Sequence, residues 1–198
     1  MGVLPRGNAS SIDIFELWLR IIDDYLVRTR AATPDALIGA VAVDLSACTD
    51  AELLSDHLAV CGKFGVRTVF SSEADTLDIV RRVHDLGASV FCSTESIRGA
   101  EMAVSAGVDG ISLSDRSGNL DTVIAAVSRI RSFFDGTVAV SCDVPTGSAV
   151  LAAETAGADL VSVAGLLTEP SAAAITELMV RLDDEYRSAR SLQAMERP

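Results

Sequence analysis

The sequence is poor in the residues that announce most specialised functions. Aromatic residues make up only 5% of its 198 positions, with one Trp and two Tyr, and there are just two His. Positive charge is short as well: 16 Lys and Arg stand against 28 Asp and Glu, a formal net charge of −12. Such a chain repels the phosphates of nucleic acid and the headgroups of an anionic membrane, so neither is expected as a partner. No apolar run reaches the roughly 18 residues that a membrane-spanning helix needs. The opening residues, MGVLPRGNASS, lack a basic stretch followed by an apolar core, so no secretory leader is expected. Cys48, Cys61, Cys92 and Cys142 show no metal-type CxxC spacing, and no metal site is expected from them. In a chain with an ample core they read as reduced thiols of a cytoplasmic protein.

What the chain does have is apolar residues in a regular rhythm. Hydrophobic residues make up 49% of the sequence, enough for one domain over residues 1–198 with a full core. The organising stretch is TVAVSCDVPTGSAVLAAETAGADLVSVAGLL, from Thr137 to Leu167. It reads as strand, turn, Ala-rich helix and strand, with Gly157 as a left-handed helix cap. Strands apolar on both faces suit a parallel sheet under helices.

The same unit recurs. Gly65-Val66, Gly87-Ala88, Gly107-Val108, Gly136-Thr137 and Gly157-Ala158 each mark a passage from helix to strand. Ahead of the repeat, residues 1–10 read as a loose tail. Residues 11–30 read as an amphipathic helix, with Ile14, Leu17, Trp18, Ile21, Ile22 and Tyr25 at helical spacing. That helix is expected to pack on the body, to plug an incomplete barrel or to form a dimer surface. The β/α core spans residues 37–167, with Thr49 and Glu52 as a capping box for its first helix. Pro170 opens a last helix to about Arg190. The expected fold is α/β: a TIM-barrel-like β/α repeat of about six parallel strands with an extra N-terminal helix, an incomplete barrel. An open, doubly wound sheet is the alternative.

In β/α barrels the working residues stand at the C-terminal ends of strands. Asp44, Ser46 and Cys48 follow the first strand, Ser71 to Glu73 the second, and Cys92 to Glu95 the third. Ser112 to Arg116 follow the fourth, and Ser141, Cys142 and Asp143 the fifth. His57 and His84 lie mid-helix, so no histidine base is expected, and Cys61 reads as core.

The segment from Leu37 to Leu167 resembles the nitronate monooxygenase family and the related flavin-dependent enoyl reductases. The likeness runs through VRTVFSSEADTLDIVRRVHDLGASVFCSTESIRGAEMAVSAGVDGI and on through the stretch from Thr137. It implies a TIM barrel, FMN as cofactor, and Gly147 and Gly165 near a phosphate-bearing ligand. Several family signatures are replaced. The Gly-Gly-His segment that carries the family's histidine reads SDRSGN from Ser114 to Asn119. The Gly-Gly pair offered to the FMN phosphate falls on Cys142-Asp143, where a carboxylate repels phosphate. The family's first two strands find no counterpart before Ser11. Glu95 and Asp115 also resemble the metal-binding pair of the class II pyruvate aldolase barrels, which implies an enolate stabilised by a metal.

These readings together point to a small-molecule enzyme on a diverged barrel that has left flavin chemistry, acting as an isomerase, lyase or cyclase. Cys142 and Cys92 are the candidate thiol acid, base or nucleophile. Asp143, Asp115, Asp44 and Glu95 are the candidate carboxylate partners. Two alternatives stand beside it. One is an FMN oxidoreductase completed by a partner chain or dimer mate; the other is a non-catalytic binding or scaffolding subunit. An incomplete barrel leaves sheet edges to cover, so either a helix plug or a homodimer is expected, with a partner subunit as a further candidate.

Overall fold

A computed structural model describes residues 1–35, 39–46, 48, 50–72, 76–114, 120–141, 146–162 and 171–196. Among the described residues seven strands alternate with helices along the chain. The strands are β1 (Gly2–Pro5), β2 (Val41–Asp44), β3 (Thr68–Ser72), β4 (Ser89–Thr94), β5 (Gly110–Ser114), β6 (Thr137–Ser141) and β7 (Leu160–Ser162). The helices are α1 (Ile12–Ala32), α2 (Ala51–Lys63), α3 (Thr76–Asp85), α4 (Ile97–Ala106), α5 (Leu120–Arg131), α6 (Gly147–Ala156) and α7 (Ala172–Glu196). Among the described residues no helix is long and apolar enough to cross a membrane.

The chain divides into two units: Met1–Ser93 with Ser105–Asp109, and Thr94–Val104 with Gly110–Pro198. In the first, β1 pairs with β2, β2 with β3 and β3 with β4, all parallel. In the second, β5 pairs with β6 and β6 with β7, again parallel. Neighbours in space are thus neighbours in sequence, each reached through a helix. This is how β/α barrels are wound.

β1 differs from the sequence expectation. Residues 2–5, assigned to a loose tail, form a strand whose register sets Gly2 on Val41 and Pro5 on Asp44. Proline is tolerated at a strand end because no ladder donor is asked of it. Only Val3 and Leu4 are apolar here, too short a run to announce a strand. Its warrant is the pairing with β2, which is far away in sequence.

Local chemistry explains where helices begin. Ser11 Oγ accepts the Ile14 N–H at 3.3 Å and starts α1, which buries Phe15 and Leu19. At α2 the cap is Asp50, whose Oδ1 accepts the N–H groups of Glu52 and Leu53, both at 2.9 Å. Such a cap stabilises a helix by about 1 kcal/mol. The expected cap Thr49 lies outside the described residues. α6 begins at Thr146 and closes on Gly157, whose φ of 111° is backbone that side chains resist.

The starts of two strands are fastened by the same device. In AGVDG the Asp109 N–H donates to Val90 O at 3.0 Å, and Asp109 Oδ2 accepts the Val90 N–H at 2.8 Å. In AGADL the Asp159 N–H donates to Val138 O at 2.8 Å, and Asp159 Oδ2 accepts the Val138 N–H at 2.8 Å. Each carboxylate also meets a side chain from the helix before the strand it fastens: His84 Nε2 of α3 at 2.8 Å from Asp109, and the Arg131 guanidinium of α5 at Asp159. Arg131 further donates to Gly157 O at 2.6 Å and Gly136 O at 2.5 Å.

Candidate functional site

Side chains alternate across a strand, so register decides which residues share a face. In the first unit Val69, Ser71, Val90 and Cys92 fall on one face and are almost fully buried. Phe70, Ser72, Phe91 and Ser93 fall on the other. There the Phe70 and Phe91 rings meet at 5.2 Å over Ala42, a pair that contributes about 0.5–1.5 kcal/mol beyond its buried area. Asp44 stands opposite Phe70 and shares the face of Ala42. Ser72 stands opposite Ser93, one step nearer the C-terminal ends. The aromatic pair is therefore a floor, and Asp44, Ser72 and Ser93 are half-buried polar groups along its C-terminal margin.

The second unit repeats the pattern with smaller residues. Ile111, Leu113, Val138 and Val140 are buried on one face. Ser114, Ser141 and Ser162 lie level with one another on the opposite face, with Ser112 and Ala139 beneath them. Ser112, Ser114 and Ser141 are half-buried and Ser162 is exposed. Each unit thus ends its strands in a row of hydroxyls at adjacent parallel positions. Hydroxyls both donate and accept, so such rows suit a ligand rich in oxygen.

The candidate residues fall unequally on this frame. Asp44 reaches the margin, and its Oδ1 accepts the Ser46 N–H at 2.8 Å. Cys92 lies on the other face, fully buried beside Ser71, whose own Oγ is buried without a hydrogen-bond partner among the described residues. The sequence reading ended that strand at Cys92; β4 in fact runs on to Thr94. In the second unit Glu95 is exposed, between Thr94 and the cap of α4. Thr94 Oγ1 accepts the Ser96 N–H at 3.1 Å, and Ser96 Oγ accepts the Gly99 N–H at 2.9 Å. Cys142, Asp143, Asp115 and Gly165 lie outside the described residues, as does Pro170.

At Gly147 the helix N-terminus already has an acceptor from its own chain. The Gly147 N–H donates to Glu185 Oε2 of α7 at 3.0 Å. A Cβ on Gly147 would lie 2.2 Å from the Tyr186 backbone nitrogen, so the α7 main chain already covers this point. An anion from the same chain holds the α6 N-terminus, and a second one would be repelled. The glycine is needed here for close approach of two helices.

Sequence reasoning passed over one cluster, around His57. This side chain is fully buried, with Cys48 Sγ 3.8 Å from Nδ1 and the Phe15 ring at 5.1 Å. Arg6 Nε donates to His57 Nε2 at 2.9 Å, so that nitrogen is the acceptor. Nδ1 therefore carries the proton and donates it to Leu53 O at 2.6 Å. Neither nitrogen can take a proton from Cys48, and the pair is no thiolate–imidazolium dyad. Burial, aided by the Arg6 charge, holds the His57 pKa below its ordinary value. Burial, aided by neighbouring Cys48, pushes the Cys61 thiol up to about 12. Among the described residues no three His, Cys, Asp or Glu gather as a metal site would require.

No family model and no curated protein matches the sequence. Solved structures do match its backbone. FabK from Thermotoga maritima superposes with a TM-score of 0.61 at 16% identity, over 82% of this chain and 49% of that one. The fold is that of the β/α barrels. A 3-hexulose-6-phosphate synthase is similar at a TM-score of 0.61 and 16% identity, over 92% of this chain and 87% of that one. The nitroalkane oxidase of Streptomyces ansochromogenes is similar at 0.56 and 14%, over 82% and 57%. The chain therefore spans about half the length of FabK and more than half that of the nitroalkane oxidase. Likeness at such identities concerns the fold alone.

Proposed function

We propose that the chain is a small-molecule enzyme of the isomerase, lyase or cyclase kind, working without flavin at the C-terminal ends of its strands. The observation that carries this reading is the margin of Asp44, Ser72 and Ser93 above the Phe70–Phe91 floor. A carboxylate beside hydroxyls on an apolar floor suits removal of a proton next to a carbonyl group. Asp44 takes the proton from carbon, and serine hydroxyls donate hydrogen bonds to the oxygen on which charge gathers. Return of a proton to a different carbon completes an isomerisation; expulsion of a group from the β-carbon completes a lyase reaction. Cys142, Asp143 and Asp115, which follow Ser141 and Ser114 closely in sequence, are proposed as the acid and base groups of the second unit's own strand ends. Glu95, exposed after β4, is a further carboxylate of the same kind. Gly147, closed by Glu185, supports chemistry other than that of a flavin phosphate. The barrel fold shared with a hexulose-phosphate synthase supports the small-molecule class.

The test is solvent exchange. The protein is incubated in D2O with a panel of sugar phosphates and 2-oxo acids, and proton NMR follows the carbon-bound hydrogen beside each carbonyl. Exchange with at least one probe is expected, falling at least tenfold in Asp44→Asn. Absence of exchange across the panel, or equal exchange in that variant, would overturn the reading. Added FMN is expected to leave the protein's visible spectrum unchanged beyond that of free flavin.

A further inference from the structure

Helix α1 carries two faces, and only one is used. Phe15 and Leu19 are buried. On the outer side Leu17 is 44% exposed, Ile21 56% and Tyr25 67%, an apolar row at four-residue spacing. Asp13, Arg20, Asp24 and Arg28 are exposed as well. At 100° per residue Arg20, Asp24 and Arg28 run along one flank of that row, and Asp13, four residues before Leu17, lies on the same side of the line through Ile21 parallel to the helix axis. Their order along the helix is acid, base, acid, base.

We propose that this face binds a second copy of the chain, α1 against α1 and antiparallel, about a two-fold axis at Ile21. The order of residues makes the face complementary to itself. With residue 21 on the axis, Leu17 meets Tyr25 of the other copy and Ile21 meets Ile21. A two-fold antiparallel pair sets like flank against like flank. Asp13 then comes within one residue of level with Arg28, and Arg20 within two residues of level with Asp24. At a rise of about 1.5 Å per residue these offsets are at most about 3 Å, within the reach of an Arg side chain. These four pairs join opposite charges; Arg20 is equally near level with Arg20 of the other copy, but Asp24 lies about 40° nearer the line of contact and is the closer neighbour. A parallel pair would set Asp13 on Asp13 and Arg28 on Arg28. Arg20 already meets Glu16 of its own helix at 2.9 Å, and its guanidinium has further donors for Asp24 of the other copy. Glu16 is itself drawn to Lys63 of α2 at 2.6 Å, which leaves the outer face to Arg20. One helix pair buries less surface than a standard interface, so association in the micromolar range is expected.

Sedimentation of the full chain tests this, because the monomer mass is 20.7 kDa. Wild type is expected to shift towards twice that mass as it is concentrated, and Ile21→Asp to stay monomeric. Two charge variants set the register: Arg20→Glu with Arg28→Glu, and Asp13→Lys with Asp24→Lys. Each alone is expected to be monomeric with an unchanged helical circular dichroism spectrum, and an equimolar mixture to form a mixed dimer. As an independent check, Ile21→Cys is expected to cross-link to itself on mild oxidation, while Asp23→Cys, on another side of the helix, does not. A wild type that stays monomeric at every concentration overturns the proposal. So does a dimer that survives Ile21→Asp, or a pair of charge variants that do not combine.

Discussion

The two ends of the strands are built on opposite rules. At the starts of β5 and β7 the polar groups are fully engaged. Asp109 and Asp159 each fasten the preceding strand through a two-way backbone bridge and hold a side chain from the helix before it. At the other ends the polar groups stand in rows, as at Ser72 and Ser93 or at Ser114, Ser141 and Ser162, on the faces that the apolar core leaves. A carboxylate committed to a buried N–H cannot be varied without loss of stability. A hydroxyl on a half-buried margin can. On the function proposed above, stability and ligand recognition fall to opposite ends of the strands, as β/α barrels generally arrange them.

That contrast can be broken most directly at Asp159. In Asp159→Ala the Val138 N–H loses its acceptor and Arg131 loses its anion, so unfolding is expected to become easier by about 1–3 kcal/mol. Asp109→Ala is expected to fall in the lower half of that range, because His84 is a weaker partner than Arg131. The exposure of His84 and Asp109, at 41% and 42%, and of Asp159, at 52%, keeps the Coulombic share of these contacts small. Urea denaturation read by circular dichroism measures both. Equal stability of Asp159→Ala and wild type would refute the fastening role.

A smaller effect is expected from pH. His57 is held neutral in the folded state, with its pKa below the usual 6.5. The unfolded chain therefore takes up a proton near 6.5 that the folded chain declines. This site's contribution is fully present above 6.5 and is lost as the pH falls from there towards the folded-state pKa. His57→Gln is expected to flatten the acid side of the stability profile; an unchanged slope would assign the acid loss to other groups. Smallest of all in stability are Ser72→Ala, Ser93→Ala and Ser141→Ala, each expected within about 0.5 kcal/mol of wild type. Their signature is instead a weakened response to whichever carbonyl probe exchanges in D2O. A large fall in stability with intact exchange would invert the assignment of the two strand ends.

Much of the architecture was readable in advance because it is written locally. Glycine before each strand, apolar runs of strand length and amphipathic stretches between them give the β/α alternation, and Gly157 is the left-handed cap its position implied. β1 was not readable, since Val3 and Leu4 acquire meaning only through Val43 and Ala42, some forty residues on. The polar strand ends were readable as a set, but not face by face. Asp44 and Cys92 look equivalent in sequence, and register alone puts one on the margin and the other in the core. The partnership of Gly147 with Glu185 was equally hidden, because nothing near a glycine reveals which distant backbone will press against it.

That partnership also bears on how the chain is made. The first N–H of α6 finds its acceptor 38 residues further along. During synthesis, α6 emerges before the residue that seals its end exists. Until Glu185 has left the ribosome, the Gly147 amide must be satisfied by water or by a passing anion. The α6 N-terminus is thus closed only by a chain that extends as far as Glu185, and a chain cut short of it leaves the Gly147 amide to solvent.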